Sequence, residues 1–216
     1  MIPAFIGKKI WFPNPEEAND EGLVAVGGDL SIERLLLAYR SGIFPWFMHD
    51  DLVYWFSPNP RCILIPSEIK ISKSMRQVLN KKQFEITFNK DFEAVMRGCA
   101  TAKRPEQEST WITEDFIEAY VSLHLIGYGH SVEVWQQGEL VGGLYGVALG
   151  KVFFGESMFS SVSNASKAAL ISLAQKLNAE GFHFIECQLY TSHLGSMGAK
   201  AISRKEYLRL LSNSVG

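Results

Sequence analysis

The feature that most constrains the fold is a run of alternating apolar and polar residues between positions 130 and 159. Its strand-like stretches read SVEVW, LVGGLYGVAL and VFFGESMF, and short turns at Gly138 and Gly150 separate them. Turns this short join neighbouring antiparallel strands, whereas parallel strands need a crossover of a dozen or more residues. The pattern therefore predicts a three-stranded antiparallel meander.

Helical spacing of apolar residues dominates most of the remaining chain. Ser31, Thr113 and either Ser163 or Asn164 are candidate N-caps, and Gly42, Gly127 and Gly181 are candidate stops. Further strands are predicted at FEITFN and at HFIECQLY. The predicted helices cover residues 31–41, 71–80, 91–100, 113–126, 164–180 and 204–211. A meander, a helix and another strand indicate an α+β fold with a mixed sheet.

The N-terminal third differs in character from the rest. Residues 1–22 are rich in Pro and Asn and are predicted to be irregular. Prolines at positions 45, 58 and 60 interrupt an aromatic segment, which predicts loops and short strands because proline cannot donate to a sheet ladder. We expect a small N-terminal domain over 1–61, a larger domain over 62–216, and a polar loop around Pro105.

Composition restricts the class of protein. Hydrophobic residues make up 47% of the 216 positions, which is typical of a globular protein with a real core, and no apolar run approaches the length of a membrane span. Cys62, Cys99 and Cys187 are odd in number and scattered, so we expect no disulfide framework. These features favour a cytoplasmic location without a membrane partner.

Charge is distributed unevenly along the chain. Residues 61–104 carry 10 basic and 4 acidic side chains, whereas residues 1–60 carry 4 and 8, and residues 105–216 carry 7 and 11. A basic segment within an acidic chain fits a phosphate footprint, since the local field governs binding. It equally fits an ordinary solvated helix face.

Familiar catalytic signatures are absent from the sequence. It has neither a P-loop nor a dinucleotide fingerprint. His183 and Cys187 lie four residues apart without paired ligands, so we predict no metal site.

Polar residues inside apolar strands are the candidate chemical groups. Glu156 interrupts one predicted strand, and Glu186 and Gln188 interrupt another, where their spacing of two places both on the same face. A carboxylate among apolar neighbours is costly to bury unless it is paired. The three side chains could line a cleft, or each could face solvent.

Tryptophans form a second group of interest. Trp46 and Trp55 lie in the proline-broken segment, and Trp111 precedes a helix cap. Loop aromatics can stack on nucleic-acid bases, at about 1–3 kcal/mol per base. Closing a hydrophobic core is the alternative role.

The segments GGDLS (27–31), IFPWF (43–47), WFSPNPR (55–61), TWIT, HSVEVW, GESMFS, NASKAAL and CQ occur in this order along the chain. Together they resemble the bacterial leucyl/phenylalanyl-tRNA–protein transferases over nearly its whole length. The resemblance implies a GNAT-like (acyl-CoA N-acyltransferase-like) C-terminal domain, no cofactor, and a monomer. The implied partners are Leu- or Phe-charged tRNA and acceptor proteins with N-terminal Arg or Lys, which the reaction marks for degradation.

The resemblance also assigns roles to residues. It implies a reaction centre of Glu156, Glu186 and Gln188. On chemical grounds we expect Gln188 to aim the attacking amine and Glu186 either to orient Gln188 or to attract the departing proton. Glu156 would hold an ammonium group, either that of the donor or that of the acceptor side chain. From the basic segment, and not from the resemblance, we expect the phosphates of the tRNA body to contact Lys73, Arg76, Lys81 and Lys82. Adenosine and amino-acid binding would involve Trp46, Trp111, Tyr120, Leu144, Phe153, Met158, Leu170, Leu173, Leu177 and Ile185. Where the family has Asp and Gly, this chain has Glu186 and Ser109.

A CoA-dependent N-acyltransferase is the alternative enzyme. Such enzymes hold the CoA pyrophosphate with a glycine-rich loop at a helix N-terminus. The corresponding junction here, MFSSVSNASKAAL, contains no glycine. A non-catalytic RNA-binding module is a further alternative, but it would give Glu156 and Gln188 no role.

Overall fold

A computed structural model describes residues 2–102 and 110–215. The predicted loop around Pro105 and the position of Ser109 lie outside these ranges. The described chain forms two sheets with helices packed against them, which confirms the predicted α+β class. Within the described ranges, every helix falls short of the length and apolar character needed to cross a bilayer.

The N-terminal part is a four-stranded sheet in the order β1-β2-β4-β3 with one helix, α1. Its elements are β1 (Ala4–Ile6), β2 (Leu23–Gly27), α1 (Ile32–Arg40), β3 (Phe44–His49) and β4 (Leu52–Phe56). The short strands around Pro45 confirm the prediction for this segment. The prediction that residues 1–22 are irregular is wrong at β1, because its pairing with β2 is a tertiary contact that local composition does not encode.

Helix α1 begins at the predicted cap, Ser31, whose backbone is extended, and its chain turns back at Gly42 with a φ of +72°. The left-handed conformation at Gly42 costs little because glycine has no Cβ. The helix buries Leu35, Ala38 and Tyr39. Tyr39 thereby points from the N-terminal part toward the larger sheet.

The larger part is a seven-stranded mixed sheet in the order β11-β5-β10-β9-β8-β7-β6. Its strands are β5 (Arg61–Leu64), β6 (Glu85–Phe88), β7 (Gly129–Gln136), β8 (Glu139–Leu149), β9 (Val152–Ser160), β10 (Phe184–Glu186) and β11 (Lys200–Ile202). The β7-β8-β9 meander confirms the alternating pattern. Strand β10 runs parallel to β9, as expected for strands joined by a helical crossover.

Five of the six remaining helices confirm predicted segments. They are α2 (Lys73–Asn80), α3 (Phe92–Thr101), α4 (Glu114–Leu125), α5 (Ala165–Ala179) and α7 (Arg204–Ser212), while the short α6 (Ser192–Ser196) was not predicted. Thr113 and Asn164 occupy the predicted N-cap positions. Helix α5 covers one face of the large sheet, and α1, α3 and α4 share a core with its other face and the small sheet.

The predicted strand over residues 183–190 is too long, since β10 ends at Glu186. Beyond it, both Cys187 and Gln188 pair with Cys62: the Cys187 N–H donates to the Cys62 carbonyl at 2.8 Å, and the Cys62 N–H donates to the Gln188 carbonyl at 3.0 Å. Cys187 and Gln188 thus both lie opposite Cys62, which is an irregularity like a β-bulge. Such an irregularity changes the direction in which the side chains point. The expectation that Glu186 and Gln188 share one strand face is therefore wrong.

Candidate active site

A cavity of about 560 Å³ lies among β3, β8, β9, α5 and the segment from β10 to α6. This volume falls within the range of ligand-binding pockets. The lining contributed by the meander, α5 and β10 is largely apolar, and the lining contributed by β3 and by the residues before α4 is largely aromatic. Residues of this lining include Phe44, Pro45, Trp46, Trp111, Leu144, Phe153, Met158, Leu170, Leu173 and Ile185.

Glu156 and Gln188 meet in this cavity. The Gln188 amide nitrogen Nε2 lies 3.3 Å from Oε2 of Glu156 and donates a hydrogen bond to it. Glu156 is 6% exposed, so the alternative that it faces open solvent does not hold. The structure therefore brings together two of the three polar residues that interrupt the apolar strands.

Glu156 also contacts the N-terminal part of the chain. The Tyr39 hydroxyl donates to its Oε1 at 2.7 Å and lies 2.5 Å from the Tyr120 hydroxyl. Burial raises the pKa of the Glu156 carboxyl to about 8, against the opposing effect of the Tyr39 hydrogen bond. The Glu156 carboxyl group is consequently mostly protonated at neutral pH.

Glu186 is buried behind the cavity and forms an ion pair. Its Oε1 lies 2.9 Å from Nη2 of Arg61, and it accepts the backbone N–H of Gln188 at 2.6 Å. Burial raises the pKa of the Glu186 carboxyl, and the Arg61 guanidinium acts in the opposite direction. Glu186 is not among the residues that line the cavity, so its contact with the site runs through the Gln188 backbone.

Arg61 is held on several sides. Its guanidinium lies over the rings of Phe44 and Tyr207, at 5.0 and 4.3 Å from their centroids, and its Nη1 donates to the Gly42 carbonyl at 2.9 Å. A buried arginine with these partners connects the small sheet, the large sheet and α7. It fixes where the Glu186 carboxylate lies.

Gln188 adopts a left-handed backbone with a φ of +58°. Such a conformation is uncommon for a residue other than glycine and is found where surrounding contacts impose it. Here the Glu186 carboxylate holds its N–H, and β5 holds its carbonyl. Within the described ranges no hydrogen bond reaches the Gln188 Oε1, so this oxygen can accept one from a ligand.

Most residues predicted for substrate binding line the cavity. Tyr120 and Leu177 do not, because Tyr120 is buried against Tyr39 and Leu177 packs in the core beneath α5. Trp46 and Trp111 are half-buried at the cavity, whereas Trp55 is fully buried and donates to the Gly27 carbonyl, as a core residue does.

The predicted tRNA-binding residues lie apart from the cavity walls. Lys73 and Arg76 are exposed on α2, and Lys81 and Lys82 are exposed just after its end. No salt bridge occupies these four side chains within the described part of the chain. They form a basic surface, which we call the α2 basic surface.

Sequence reasoning missed Tyr39, Arg61 and one wall of the cavity. Tyr39 resembled an ordinary member of an apolar helix stripe. Arg61 precedes the apolar residues CIL, so the argument that singled out Glu156 could also have found it. The missed wall is formed by Leu189, Thr191, His193 and Leu194.

Comparison with known proteins supplies the family. The model of the leucyl/phenylalanyl-tRNA protein transferases matches residues 63–212, and the model of their N-terminal domain matches residues 28–59. This chain belongs to the leucyl/phenylalanyl-tRNA–protein transferase family. The resemblance stated from the motifs is thereby confirmed, and the chain is a transferase.

Members of this transferase family match along almost the whole chain. The leucyl/phenylalanyl-tRNA–protein transferase of Syntrophus aciditrophicus is 55% identical over 97% of this chain and 88% of its own length. That of Flavobacterium johnsoniae is 52% identical over 97% of this chain and 99% of its own length.

Among solved structures, L-PGS from Bacillus licheniformis overlaps 80% of this chain and 57% of its own, with a TM-score of 0.40 and 13% identity. A GCN5-related N-acetyltransferase from Kribbella flavida overlaps 78% of this chain and 60% of its own, with a TM-score of 0.40 and 10% identity.

Proposed function

We propose that this protein transfers leucine or phenylalanine from its tRNA to the N-terminal amine of a protein. The observation that carries the proposal is the contact between Gln188 and Glu156 in an apolar cavity. An apolar side chain, an ammonium group and a reacting carbonyl are adjacent in an aminoacyl ester. The apolar lining around Leu144, Leu170 and Leu173, which we call the apolar floor, matches the side chain. Glu156 matches the ammonium group, and Gln188 would lie beside the reacting carbonyl.

The donor side chain occupies the apolar floor in this proposal. Leu144, Leu170 and Leu173 are flexible aliphatic walls that suit unbranched or γ-branched side chains such as Leu, Phe and Met. Each methylene that fits or fails to fit such a pocket changes binding by about 1–3 kcal/mol. Val and Ile, which branch at Cβ, are expected to be poor donors. Trp46 and Trp111 would stack on the terminal adenosine.

Glu156 binds the donor's α-ammonium group in this proposal. A cation beside a buried carboxyl lowers its pKa, so donor binding displaces the proton that Glu156 otherwise keeps. Ionisation strengthens the hydrogen bonds that the carboxyl group already accepts from Tyr39 and from Gln188 Nε2. Donor binding thus holds the Gln188 amide more firmly in the orientation that leaves its Oε1 free to accept a hydrogen bond.

Gln188 aims the attacking amine. An amide does not titrate near neutral pH, so Gln188 acts as a hydrogen-bond acceptor rather than as a base. The acceptor α-amine has a reference pKa of about 7.7–8.0, and a useful fraction is neutral at cellular pH. Its lone pair attacks the ester carbonyl, a C–N bond forms and the C–O bond to the tRNA ribose breaks. The attacking nitrogen loses one proton, and the released ribose oxygen takes that proton up. Orientation of this kind can supply about 7–11 kcal/mol.

Glu186 is assigned a positioning role rather than that of a proton acceptor. Its carboxylate is already paired with Arg61 and with the Gln188 N–H. Residue 186 is Glu in this chain, where the family has the shorter Asp. The pairing with Arg61 and with the Gln188 N–H accommodates the longer side chain. The ester is an activated donor and the amide product is more stable, so the proposed reaction uses no cofactor.

The tRNA body is proposed to bind the α2 basic surface through its phosphates, without reading sequence. We further propose that the acceptor proteins begin with Arg or Lys and that the added residue marks them for degradation. The reaction is proposed to take place in the cytoplasm. The proposal also takes the active protein to be a monomer.

The direct test mixes the protein with radiolabelled Phe-tRNA and a peptide that begins with Arg. The proposal predicts label in the peptide through a bond that survives mild base, which hydrolyses esters. Parallel reactions contain labelled acetyl-CoA in place of Phe-tRNA. Acetylated peptide without phenylalanyl product would support the CoA-dependent alternative, and no product from either donor would refute the enzyme proposal.

A further inference from the structure

One wall of the cavity has no role in donor binding. It begins directly after Gln188 and continues into α6. Leu189, Thr191, His193 and Leu194 form it. The residues assigned to the donor, which are the apolar residues of β8, β9 and α5 and the two tryptophans, come from other elements of the chain. The amine that reaches Gln188 is the N-terminus of the acceptor polypeptide. The rest of that polypeptide must therefore leave the cavity along one of its walls.

The Leu189 side chain of this wall and the neighbouring Tyr190, which does not itself line the cavity, are exposed to solvent. Leu189 is 40% exposed and Tyr190 is 53% exposed, although both follow buried strand residues. Tyr190 lies against α6. Its hydroxyl oxygen packs so closely on Gly195 that the Cβ of any larger residue at that position would lie only 1.9 Å from it. Helix α6 is capped by Thr191, whose hydroxyl oxygen accepts the N–H of Leu194 at 3.2 Å.

The backbone of this wall is also available. Cys187 and Gln188 bond to Cys62, but no hydrogen bond in the described part of the chain uses the N–H or C=O of Leu189 or Tyr190. Unpaired backbone groups on an exposed segment can bind an extended peptide through its main chain. Such bonds give affinity without demanding a sequence, and neighbouring side chains supply selectivity.

We propose that Leu189 and Tyr190 form the subsite for the second residue of the acceptor polypeptide. This inference rests on the proposed function, because it takes the α-amine at Gln188 as its starting point. The acceptor main chain bonds to the Leu189–Tyr190 backbone, and its second side chain packs on these two residues. The two subsite side chains, Leu189 and Tyr190, are largely apolar, so an acidic side chain buried against them would lose its hydration, whereas Thr191 and His193 are the polar members of the wall. The subsite therefore takes apolar or aromatic residues in preference to acidic ones.

The first experiment measures transfer from Phe-tRNA to three peptides that differ only at position 2: Arg-Leu, Arg-Ala and Arg-Asp, each with the same remaining residues. The order of kcat/KM should be Leu above Ala above Asp, with about fivefold or more between the extremes. Equal kcat/KM for all three peptides would overturn the subsite while leaving the proposed transfer intact. Failure of all three peptides would instead refute the proposed function.

The second experiment compares Leu189→Ser and Tyr190→Ser with Leu125→Ser, a control at an exposed leucine on α4. Both wall variants should raise the KM of the Arg-Leu peptide about fivefold and leave the KM of Phe-tRNA unchanged, whereas the control should change neither. A rise in the KM of Phe-tRNA would assign the wall to the donor and overturn the proposal. An unchanged peptide KM would overturn it as well.

Discussion

Arg61 and Glu186 form a buried ion pair in which the acidic partner also holds the backbone of Gln188. The Nη2–Oε1 distance is 2.9 Å, and the same Oε1 accepts the Gln188 N–H at 2.6 Å. Buried ion pairs are poor evidence for net stability, because desolvation offsets their attraction. The geometric consequence is clearer: the pair fixes the left-handed backbone that places the Gln188 side chain beside Glu156.

Arg61→Gln is expected to lower the kcat of transfer at least tenfold with little change in the KM of Phe-tRNA. The variant leaves Glu186 buried and unpaired, which costs about 3–5 kcal/mol of stability. The double variant Arg61→Gln/Glu186→Gln removes the unpaired charge, so it should regain stability but not kcat. Steady-state kinetics and urea unfolding measure both effects.

Arg97→Gln is the matched control, since Arg97 pairs with Glu93 and Glu114 at the surface. It should change stability far less and leave kcat unchanged. A double variant with wild-type kcat would contradict the positioning role of the ion pair.

Glu156 is expected to make the stability of the empty protein depend on pH. Its pKa is raised from 4.5 to about 8 in the folded state, so between these values the folded chain binds a proton that the unfolded chain lacks. Stability therefore falls as pH rises through this window, by about 1 kcal/mol per unit. Glu156→Gln should lose this contribution. Urea unfolding of both proteins from pH 5 to 8.5 should give diverging curves, and parallel curves would contradict the raised pKa.

Tyr39→Phe is expected to shift the pH dependence of transfer upward. The Tyr39 hydrogen bond lowers the pKa of Glu156, so its loss lets burial raise that pKa further. Activity near pH 7 should fall about tenfold and partly recover at higher pH. The measurement is kcat/KM for Phe-tRNA from pH 6 to 9. Tyr54→Phe is the control, because Tyr54 stacks on Phe47 and neither residue lines the cavity. An unshifted profile would show that Tyr39 does not tune Glu156.

The α2 basic surface is expected to set tRNA affinity without setting the rate of chemistry. Arg76→Glu/Lys82→Glu should weaken binding of Phe-tRNA at low salt and reduce the slope of log Kd against log salt by about one to two. Single-turnover transfer at saturating Phe-tRNA should stay within about twofold of wild type. Lys205→Glu on α7 is the control for charge reversal at an exposed lysine. A loss of single-turnover rate equal to the loss of affinity would contradict this division.

Local sequence patterns predicted the elements that local patterns control. The β7-β8-β9 meander and helices α1 to α5 follow from apolar periodicity, caps and glycine stops, which act over a few residues. Strand β1 escaped prediction because its partner, β2, lies about 20 residues away. The early end of β10 also depends on a distant partner, Cys62.

The sequence predicted the polar centre of the candidate site, but it did not predict the residues that hold this centre in place. Glu156 and Gln188 stood out as polar residues within apolar strands. Tyr39 and Arg61 did not, because their roles depend on contacts between sequence positions more than a hundred apart. The wall at Leu189 was hidden by the assumption that residues 183–190 form one strand.

The most direct test of the central claim compares Gln188→Ala with wild type in single-turnover transfer from saturating Phe-tRNA to an Arg-Leu peptide. Loss of the group that aims the amine should lower the rate about a hundredfold. The Kd of Phe-tRNA should stay within about twofold, because the proposal assigns Gln188 to the acceptor amine rather than to the donor. A Gln188→Ala variant that transfers phenylalanine at the wild-type rate would contradict the claim.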